Sequence, residues 1–181
     1  GGVPFGLKPV QWTDDTSMAL CRGHSLLECR GFDAGEQMRK YVAWRDTGYM
    51  SSTGGFFDIG NATNAALSRF LRAGNPIAGS VDPGSAGNGS IMRLAPVPIL
   101  YQRDLDTATR LAVESSRTTH GAPECLEACA FLGRALVRAS RGAPKDAILF
   151  GDDRPYHEAS VRAIAAGQYR ALAVSQIRGT G

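Results

Sequence analysis

Apolar side chains recur at three- and four-residue spacing along most of this sequence, which is the periodicity of amphipathic α-helices. The pattern predicts helices over 17–28, 34–46, 64–73, 106–116, 123–142 and 156–166, and a further helix that begins near residue 90. The run Ala147-Ile148-Leu149-Phe150 is the one stretch with the character of a strand, because turn residues bound it. We therefore expect an all-α, multi-helix fold in which residues 1–181 form a single domain.

Capping and helix-breaking residues predict where several of these helices begin and end. Thr63 is the expected N-cap of the third helix, and Asp106 is the expected N-cap of the fifth. Pro96 and Pro98 predict that the helix from residue 90 kinks or ends early, because proline lacks the N–H that a helix interior needs.

Charged residues are expected on the solvated faces of these helices. The first helix is predicted to bury Leu20, Cys21 and Leu27 and to keep Arg22 away from that face, and the other arginines are expected in solvent. Lys and Arg number 20 against 17 Asp and Glu, which gives a net charge of +3. A small anionic ligand is compatible with this balance, but the dispersed charges do not form the basic stripe of a nucleic-acid-binding protein.

Cysteine spacing and hydropathy bear on the compartment. No apolar run approaches the roughly 20 residues of a membrane-spanning helix, so we expect no membrane association. The cysteines match no zinc-site spacing and are too sparse for a secreted disulfide scaffold; they are Cys21, Cys29, Cys125 and Cys129. We expect buried free thiols in a cytoplasmic protein, with a metal or redox role as the alternative.

Glycine is unusually frequent for a helical chain. There are 22 glycines in 181 residues, whereas roughly 7% is usual and a helix interior disfavours glycine by about 1 kcal/mol relative to alanine. The glycines cluster before predicted helix starts, most densely in residues 82–90, which we call the glycine loop. Such a loop is either a flexible connection or a cradle whose N–H groups bind phosphate or pyrophosphate, and its position before a helix favours the cradle. Arg93 is then an anion ligand or the partner of a carboxylate.

A second candidate element is Thr13-Asp14-Asp15, which we call the TDD motif, just before the first predicted helix. Two adjacent carboxylates repel each other, and an N-cap needs a single oxygen. The motif is therefore either a doubled cap, stabilised by the helix dipole, or part of a hard-cation site. Three consecutive ligands cannot complete an octahedral site, so a cation would need further ligands from elsewhere.

Two loop residues are further candidates. Asp58 lies between an aromatic pair and a glycine, where it acts either as a turn residue or in a site. His120 precedes Gly121 at the entry to a predicted helix, where it acts either as a structural residue or as a ligand contact.

Together, three segments in this order resemble the ADP-ribosylglycohydrolase family: residues 11–20, which include the TDD motif, residues 87–93, and Thr118-Thr119-His120. Asp58-Ile59-Gly60-Asn61 fits the same pattern, and the resemblance extends to about residue 139. It implies an all-α fold with a two-metal Mg2+ or Mn2+ site at the base of an ADP-ribose cleft. The implied reaction is hydrolysis of the bond between ADP-ribose and a protein side chain, with arginine the best-known acceptor.

The resemblance also implies roles for individual residues. Metal ligands would be Thr13, Asp14 and Asp15. Catalysis would involve Asp14, Asp15 and Asp58, with Asp58 beside the scissile linkage. The substrate would be bound by Asp58, Ser85, Gly87, Asn88, Gly89, Ser90 and His120.

The family pattern contains an acidic residue in a helix ahead of Trp12 and an Asp-x-Asp-Thr run near the C-terminus, and this sequence has neither. We therefore expect an interior piece of a longer protein that lacks the N-terminal helix and the C-terminal metal-ligand segment. Asp152-Asp153 is not expected to replace that segment. The expected partner is an ADP-ribosylated protein or a small molecule containing ADP-ribose. The alternatives are a non-catalytic ADP-ribose-binding module and a structural relative without turnover.

Overall fold

A computed structural model describes residues 6–177. Its helices, in chain order, are α1 Asp14–Glu28, α2 Ala34–Thr47, α3 Asn61–Ala73, α4 Gly89–Met92, α5 Pro96–Leu100, α6 Leu105–Arg117, α7 Pro123–Ser140, α8 Lys145–Phe150 and α9 Ala159–Ala165. Strands are absent from this described range, and the β-type pairing there is one isolated bridge between Ser80 and His120. The all-α prediction is confirmed.

Some local predictions were wrong, each for a local reason. Residues 147–150 form the end of α8 rather than a strand, since a short apolar run does not distinguish the two. Gly60 is the N-cap of α3, so Thr63 lies inside the helix and is buried. Asp104 caps α6 in place of Asp106, because its carboxylate accepts the N–H groups of Asp106 and Thr107 at 3.1 and 3.0 Å.

The two prolines end one helix and begin the next, as predicted. α4 stops at Met92, and α5 starts at Pro96. Pro96 and Pro98 lie in the first turn of α5, where the backbone N–H groups have no intrahelical acceptor, so the missing donors cost little.

The helices pack around several apolar clusters. One cluster joins the first three helices, and its fully buried members include Met18 of α1, Met38 and Tyr41 of α2 and Leu67 of α3. α7 packs closely on α6, where a β-carbon at Gly133 would lie 3.1 Å from the β-carbon of Ala112. Within residues 6–177 we find no helix whose length and hydropathy would allow it to cross a membrane.

The expected faces of α1 were wrong. Leu20 and Leu27 are exposed, whereas Arg22 is fully buried beside Cys21. Arg134 is buried as well, so the expectation that the arginines lie on solvated faces fails at Arg22 and Arg134. Arg93, predicted as an anion ligand or the partner of a carboxylate, is also buried. Arg22 can be buried because this region of the core is polar: its Nη1 donates to the carbonyl oxygen of Arg93 at 2.9 Å.

All four cysteines are free thiols. Cys21, Cys125 and Cys129 are buried as expected, but Cys29 is exposed. Cys29 lies at the C-cap of α1, where the helix leaves the core.

Candidate active site

The TDD motif forms the start of α1, but its side chains do not cap the helix. Thr13 is the N-cap residue, in an extended conformation (φ −86°, ψ −174°), and makes no side-chain capping bond. Its carbonyl oxygen accepts both the N–H and the hydroxyl of Ser17, each at 3.2 Å. Asp14 and Asp15 follow in the first turn, half-buried. The doubled-cap interpretation therefore does not describe this motif, and its oxygens are open to another role.

The segment before the motif is fixed by Trp12. Its backbone N–H donates to Ser52 Oγ at 2.9 Å, and Ser52 Oγ donates back to its carbonyl oxygen at 2.8 Å. The Trp12 indole donates to the carbonyl oxygen of Met50 at 3.3 Å. These bonds hold the start of α1 against the loop after α2, on the path to Asp58.

Three carboxylates influence one another at this end of α1. Burial raises the pKa of Asp14, and the charges of Asp15 and Asp58 raise it further. Burial also raises the pKa of Asp15. The charge of Asp58 adds to this increase, whereas the charge of the Arg93 guanidinium opposes it. No described residue forms an ion pair with any of the three. The result is a patch of negative charge that a cation would relieve.

The glycine loop keeps several backbone donors open. Asp82 organises its first part, since its carboxylate accepts the Gly84 N–H at 2.9 Å and its carbonyl oxygen accepts the Ser85 hydroxyl at 2.6 Å. The Ala86 N–H donates to the carbonyl oxygen of Pro83 at 3.2 Å. The N–H groups of residues 87–90, by contrast, have no hydrogen-bond acceptor in the described part of the chain; they belong to Gly87, Asn88, Gly89 and Ser90. Four adjacent open donors are what an anion-binding loop requires.

The Ser90 side chain points away from that opening. Ser90 is buried, and its Oγ lies 2.8 Å from Ser116 Oγ and 3.5 Å from Cys129 Sγ. Ser90 was predicted to contact the substrate, and its backbone N–H is the group that remains available for such a contact.

His120 lies against the glycine loop. A β-carbon at Gly89 would be 3.2 Å from His120 Nε2, and one at Gly87 would be 3.6 Å from it. Nδ1 is 2.9 Å from Thr119 Oγ1. Burial, together with the charges of Arg93 and Arg22, lowers the pKa of His120 to about 4. The imidazole is therefore neutral at physiological pH.

Gly79 makes this juxtaposition possible. A β-carbon there would lie 2.6 Å from the backbone nitrogens of His120 and Gly121, which is too close for any other residue. The Gly121 N–H donates to the carbonyl oxygen of Ser80 at 2.9 Å, and the Ser116 hydroxyl donates to that of His120 at 2.8 Å. Sequence reasoning missed Gly79, since the close approach becomes visible only when both segments are placed.

Arg93 connects the carboxylates with the loop of His120. Its Nη2 donates to Thr119 Oγ1 at 2.7 Å, and its guanidinium carbon lies 5.3 Å from the centroid of the Tyr41 ring. Its charge also acts on Asp14 and Asp15. The structure thus brings the TDD motif, Asp58, the glycine loop and His120 into one region.

The oxygen donors of the TDD motif suit a hard cation in type and charge. Within residues 6–177, however, no group of three or more His, Cys, Asp or Glu side chains is arranged to hold a metal ion. The motif is thus a partial ligand set. Asp58 lies near enough for its charge to raise the pKa values of Asp14 and Asp15. Asp152 does not extend it, since Arg134, Arg138 and Tyr156 all donate to its carboxylate.

Comparison with known proteins agrees with this arrangement. A sequence profile of the ADP-ribosylglycohydrolase family matches residues 2–180. The ADP-ribosylarginine hydrolase Tri1 of Pseudomonas putida (strain GB-1) is 40% identical over 181 residues, which is 100% of this chain and 48% of that protein. The protein of the same name from Serratia proteamaculans (strain 568) is 37% identical over 100% of this chain and 49% of its own length.

A more distant relative is the ADP-ribosyl-[dinitrogen reductase] glycohydrolase of Rhodospirillum rubrum, 31% identical over 75% of this chain and 44% of that protein. The chain spans about half the length of the curated relatives it matches. The family profile covers nearly all of this chain. The segments that carry the resemblance, which include the TDD motif, the glycine loop and His120, lie in one region of the structure. This chain therefore belongs to the ADP-ribosylglycohydrolase family.

Proposed function

We propose that this chain contributes an ADP-ribose site to a hydrolase that removes ADP-ribose from modified arginine side chains of proteins. The observation that carries the proposal is the juxtaposition of His120 with the open N–H groups of the glycine loop, beside the carboxylates of the TDD motif. The names of the relatives from Pseudomonas and Serratia support arginine as the acceptor.

The glycine loop would bind the diphosphate of ADP-ribose. Its open N–H groups at residues 87–90 supply donors without a competing internal acceptor, and hydrogen bonds to a charged ligand are the stronger kind. Ser85 shapes the loop through its bond to Asp82 and lies next to these donors. A neutral His120, which lies against Gly87 and Gly89, would contact the ligand beside these donors.

Thr13, Asp14 and Asp15 would hold Mg2+ or Mn2+. When bound, such an ion would supply Lewis-acid chemistry, namely polarisation of the ribose hydroxyls and of a water molecule. The partial ligand set fits this role in charge, and further ligands remain necessary.

The chain's own carboxylates would handle the proton. Asp14, Asp15 and Asp58 lie close enough to influence one another, and a carboxylate of this group would assist the proton transfer. Asp58, half-buried and near Asp14, would lie beside the scissile linkage. The anionic patch as a whole would stabilise positive charge that develops on the ribose as the arginine leaves.

The free thiols support a reducing compartment, and we therefore propose the cytoplasm. The partner would be a protein that carries ADP-ribosylated arginine, or a small molecule that contains ADP-ribose.

A second candidate function is ADP-ribose binding without catalysis. The absence of a complete group of metal ligands from the described residues favours it, since the phosphate loop does not depend on the metal.

One experiment distinguishes the two functions. ADP-ribose is titrated into the chain by calorimetry with and without Mg2+, and release of ADP-ribose from ADP-ribosylated arginine is assayed. Mg2+-dependent binding with release supports the hydrolase. Binding that ignores Mg2+, with no release, supports the binding module. Absence of binding contradicts both.

A further inference from the structure

His120 has a neutral imidazole with two distinct nitrogens, and the structure constrains which of them carries the hydrogen. Nδ1 faces Thr119 Oγ1 at 2.9 Å. Nε2 faces the glycine loop, where β-carbons at Gly87 and Gly89 would lie 3.6 and 3.2 Å from it. A ligand in the loop would therefore meet either an N–H donor or a bare nitrogen acceptor, according to the tautomer.

Arg93 restricts what Thr119 can do. Its guanidinium is a pure donor, and its Nη2 lies 2.7 Å from Thr119 Oγ1. The threonine oxygen must therefore accept in this bond. Both residues are 1% exposed, so water does not compete freely for either group.

The hydroxyl hydrogen of Thr119 then has one destination. Apart from His120 Nδ1, no described residue offers it an acceptor. If Nδ1 carried the hydrogen instead, the buried Thr119 hydroxyl would be left with an unsatisfied hydrogen, and buried polar groups are rarely left so. The complete network runs from Arg93 to Thr119 and from Thr119 to Nδ1.

We propose that Arg93 and Thr119 are positioning residues that hold His120 with its hydrogen on Nε2, aimed into the glycine loop as a hydrogen-bond donor. The use of this donor, contact with the diphosphate or ribose oxygens of ADP-ribose, rests on the function proposed above. Arg93 is itself held in place from several sides. Arg22 donates to its carbonyl oxygen at 2.9 Å, and the Tyr41 ring lies under its guanidinium.

The same arrangement assigns Thr119 a role that a merely structural threonine would not have. Its hydroxyl determines which ring nitrogen of His120 carries the hydrogen, so a substitution of Thr119 should change the tautomer of His120 as well as the stability of the fold. Thr63 provides the matched comparison. It is also buried and near Arg93 Nη2, but its Oγ1 is 3.5 Å away and does not contact His120.

Nitrogen-15 NMR of the His120 ring in the ligand-free chain, at neutral pH, tests the proposal directly. The unchanged chain and Thr119→Ser should show protonated Nε2 and unprotonated Nδ1. Thr119→Val should raise the population protonated at Nδ1, because Nδ1 loses its donor. Arg93→Met, which frees a lone pair on Thr119, should give a mixture, and Thr63→Val should match the unchanged chain. A hydrogen on Nδ1 in the unchanged chain overturns the proposal.

ADP-ribose titration of the same variants measures the consequence for binding. Thr119→Val should weaken binding about tenfold or more, as expected for loss of one hydrogen bond to a charged group, and Thr119→Ser should restore it. Equal affinity of Thr119→Val and the unchanged chain overturns the role in ligand contact. If the unchanged chain has the Nε2–H tautomer but binds no ADP-ribose, the proposed function fails while the tautomer assignment stands. Should Thr119→Val not fold, the spectrum of the unchanged chain and of Arg93→Met still decides the assignment.

Discussion

The imidazole of His120 lies against the backbone of Gly89 so closely that a β-carbon there would be 3.1 Å from Cε1 and 3.2 Å from Nε2. The same β-carbon would lie 3.3 Å from Arg93 Nη1. Because both neighbours are buried and hydrogen-bonded, neither can easily move aside. A side chain at this position would therefore force His120 or Arg93 to shift by a few tenths of an ångström.

Gly89→Ala is accordingly expected to displace His120 and to weaken ADP-ribose binding about tenfold or more, with a loss of stability of about 1–3 kcal/mol from overpacking. Calorimetry and denaturant unfolding measure the two effects. Gly87→Ala is the matched control, because its β-carbon would meet the ring at an ordinary contact distance of 3.6 Å. Equal losses in both variants would contradict the steric explanation.

Stability should depend on the protonation of His120. Its pKa is about 4 in the folded chain, below the ordinary value of about 6.5 in the unfolded chain, so the unfolded state binds more protons on acidification. The contribution to stability is complete above pH 6.5 and is lost as the pH falls through 6.5 toward 4. The expected loss is about 3 kcal/mol at most.

His120→Gln should flatten that part of the stability profile. Asp14 and Asp15 titrate in the opposite sense, because their raised pKa values favour the folded state when they are protonated. The difference between the unfolding free energies of the two chains, measured from pH 7.5 to 4.5, isolates His120. A difference that does not change with pH would refute the assignment.

Asp14→Asn should stabilise the chain in the absence of metal. Burial and two neighbouring carboxylates raise the pKa of Asp14, so its charge at neutral pH is unfavourable, and a neutral isostere removes the repulsion. The same variant should lose the rise in melting temperature that Mn2+ is expected to give the unchanged chain. Thermal melts with and without Mn2+ test both effects.

Asp106→Asn is the matched control for that substitution, since Asp106 also lies in the first turn of a helix but apart from the TDD motif. It should keep the Mn2+ response. An Mn2+ response that survives Asp14→Asn would show that the cation site has been misplaced.

Asp152 is expected to matter for stability and not for ligand binding. Although burial opposes it, bonds from Arg138, Tyr156 and Arg134 lower the pKa of Asp152, and its side chain is 0% exposed. Asp152→Asn should cost about 3–5 kcal/mol, as removal of one partner from a buried ion pair does. Asp153→Asn should cost little, because that side chain is 90% exposed.

Denaturant unfolding measures the two costs, and ADP-ribose affinity should be unchanged in whichever variant remains folded. Similar costs at the two positions would mean that the buried network around Asp152 does not hold α7 to the segment that follows it.

Local pattern accounts for much of the fold but not for its polar core. Periodicity predicted α2 and α7 almost to their ends, because an apolar stripe and a stop residue are both local properties. The TDD motif and the glycine loop were also visible as helix entries. Arg22 was expected away from the buried face of its helix, but it is buried, and its side chain donates to the carbonyl oxygen of Arg93, 71 positions away. No local pattern encodes such a partner.

The same limit applies within the site. His120 was a candidate from its loop position and the family resemblance, whereas the roles of Thr119 and Gly79 follow from contacts across the fold. Thr119 resembles any buried threonine in the sequence. Its position between Arg93 and His120 becomes apparent only when the loop after α6 is placed against α4.

The Ser116 hydroxyl, which lies between Ser90 and the carbonyl oxygen of His120, fixes the direction of a second proton. A carbonyl oxygen can only accept, so the Ser116 hydrogen is committed to His120, and the Ser90 hydrogen points either to Ser116 Oγ or to Cys129 Sγ. Ser90, in the first turn of α4, is thereby connected through Ser116 to the loop of His120. Ser90→Ala should lower the free energy of unfolding more than it changes the affinity for any ligand.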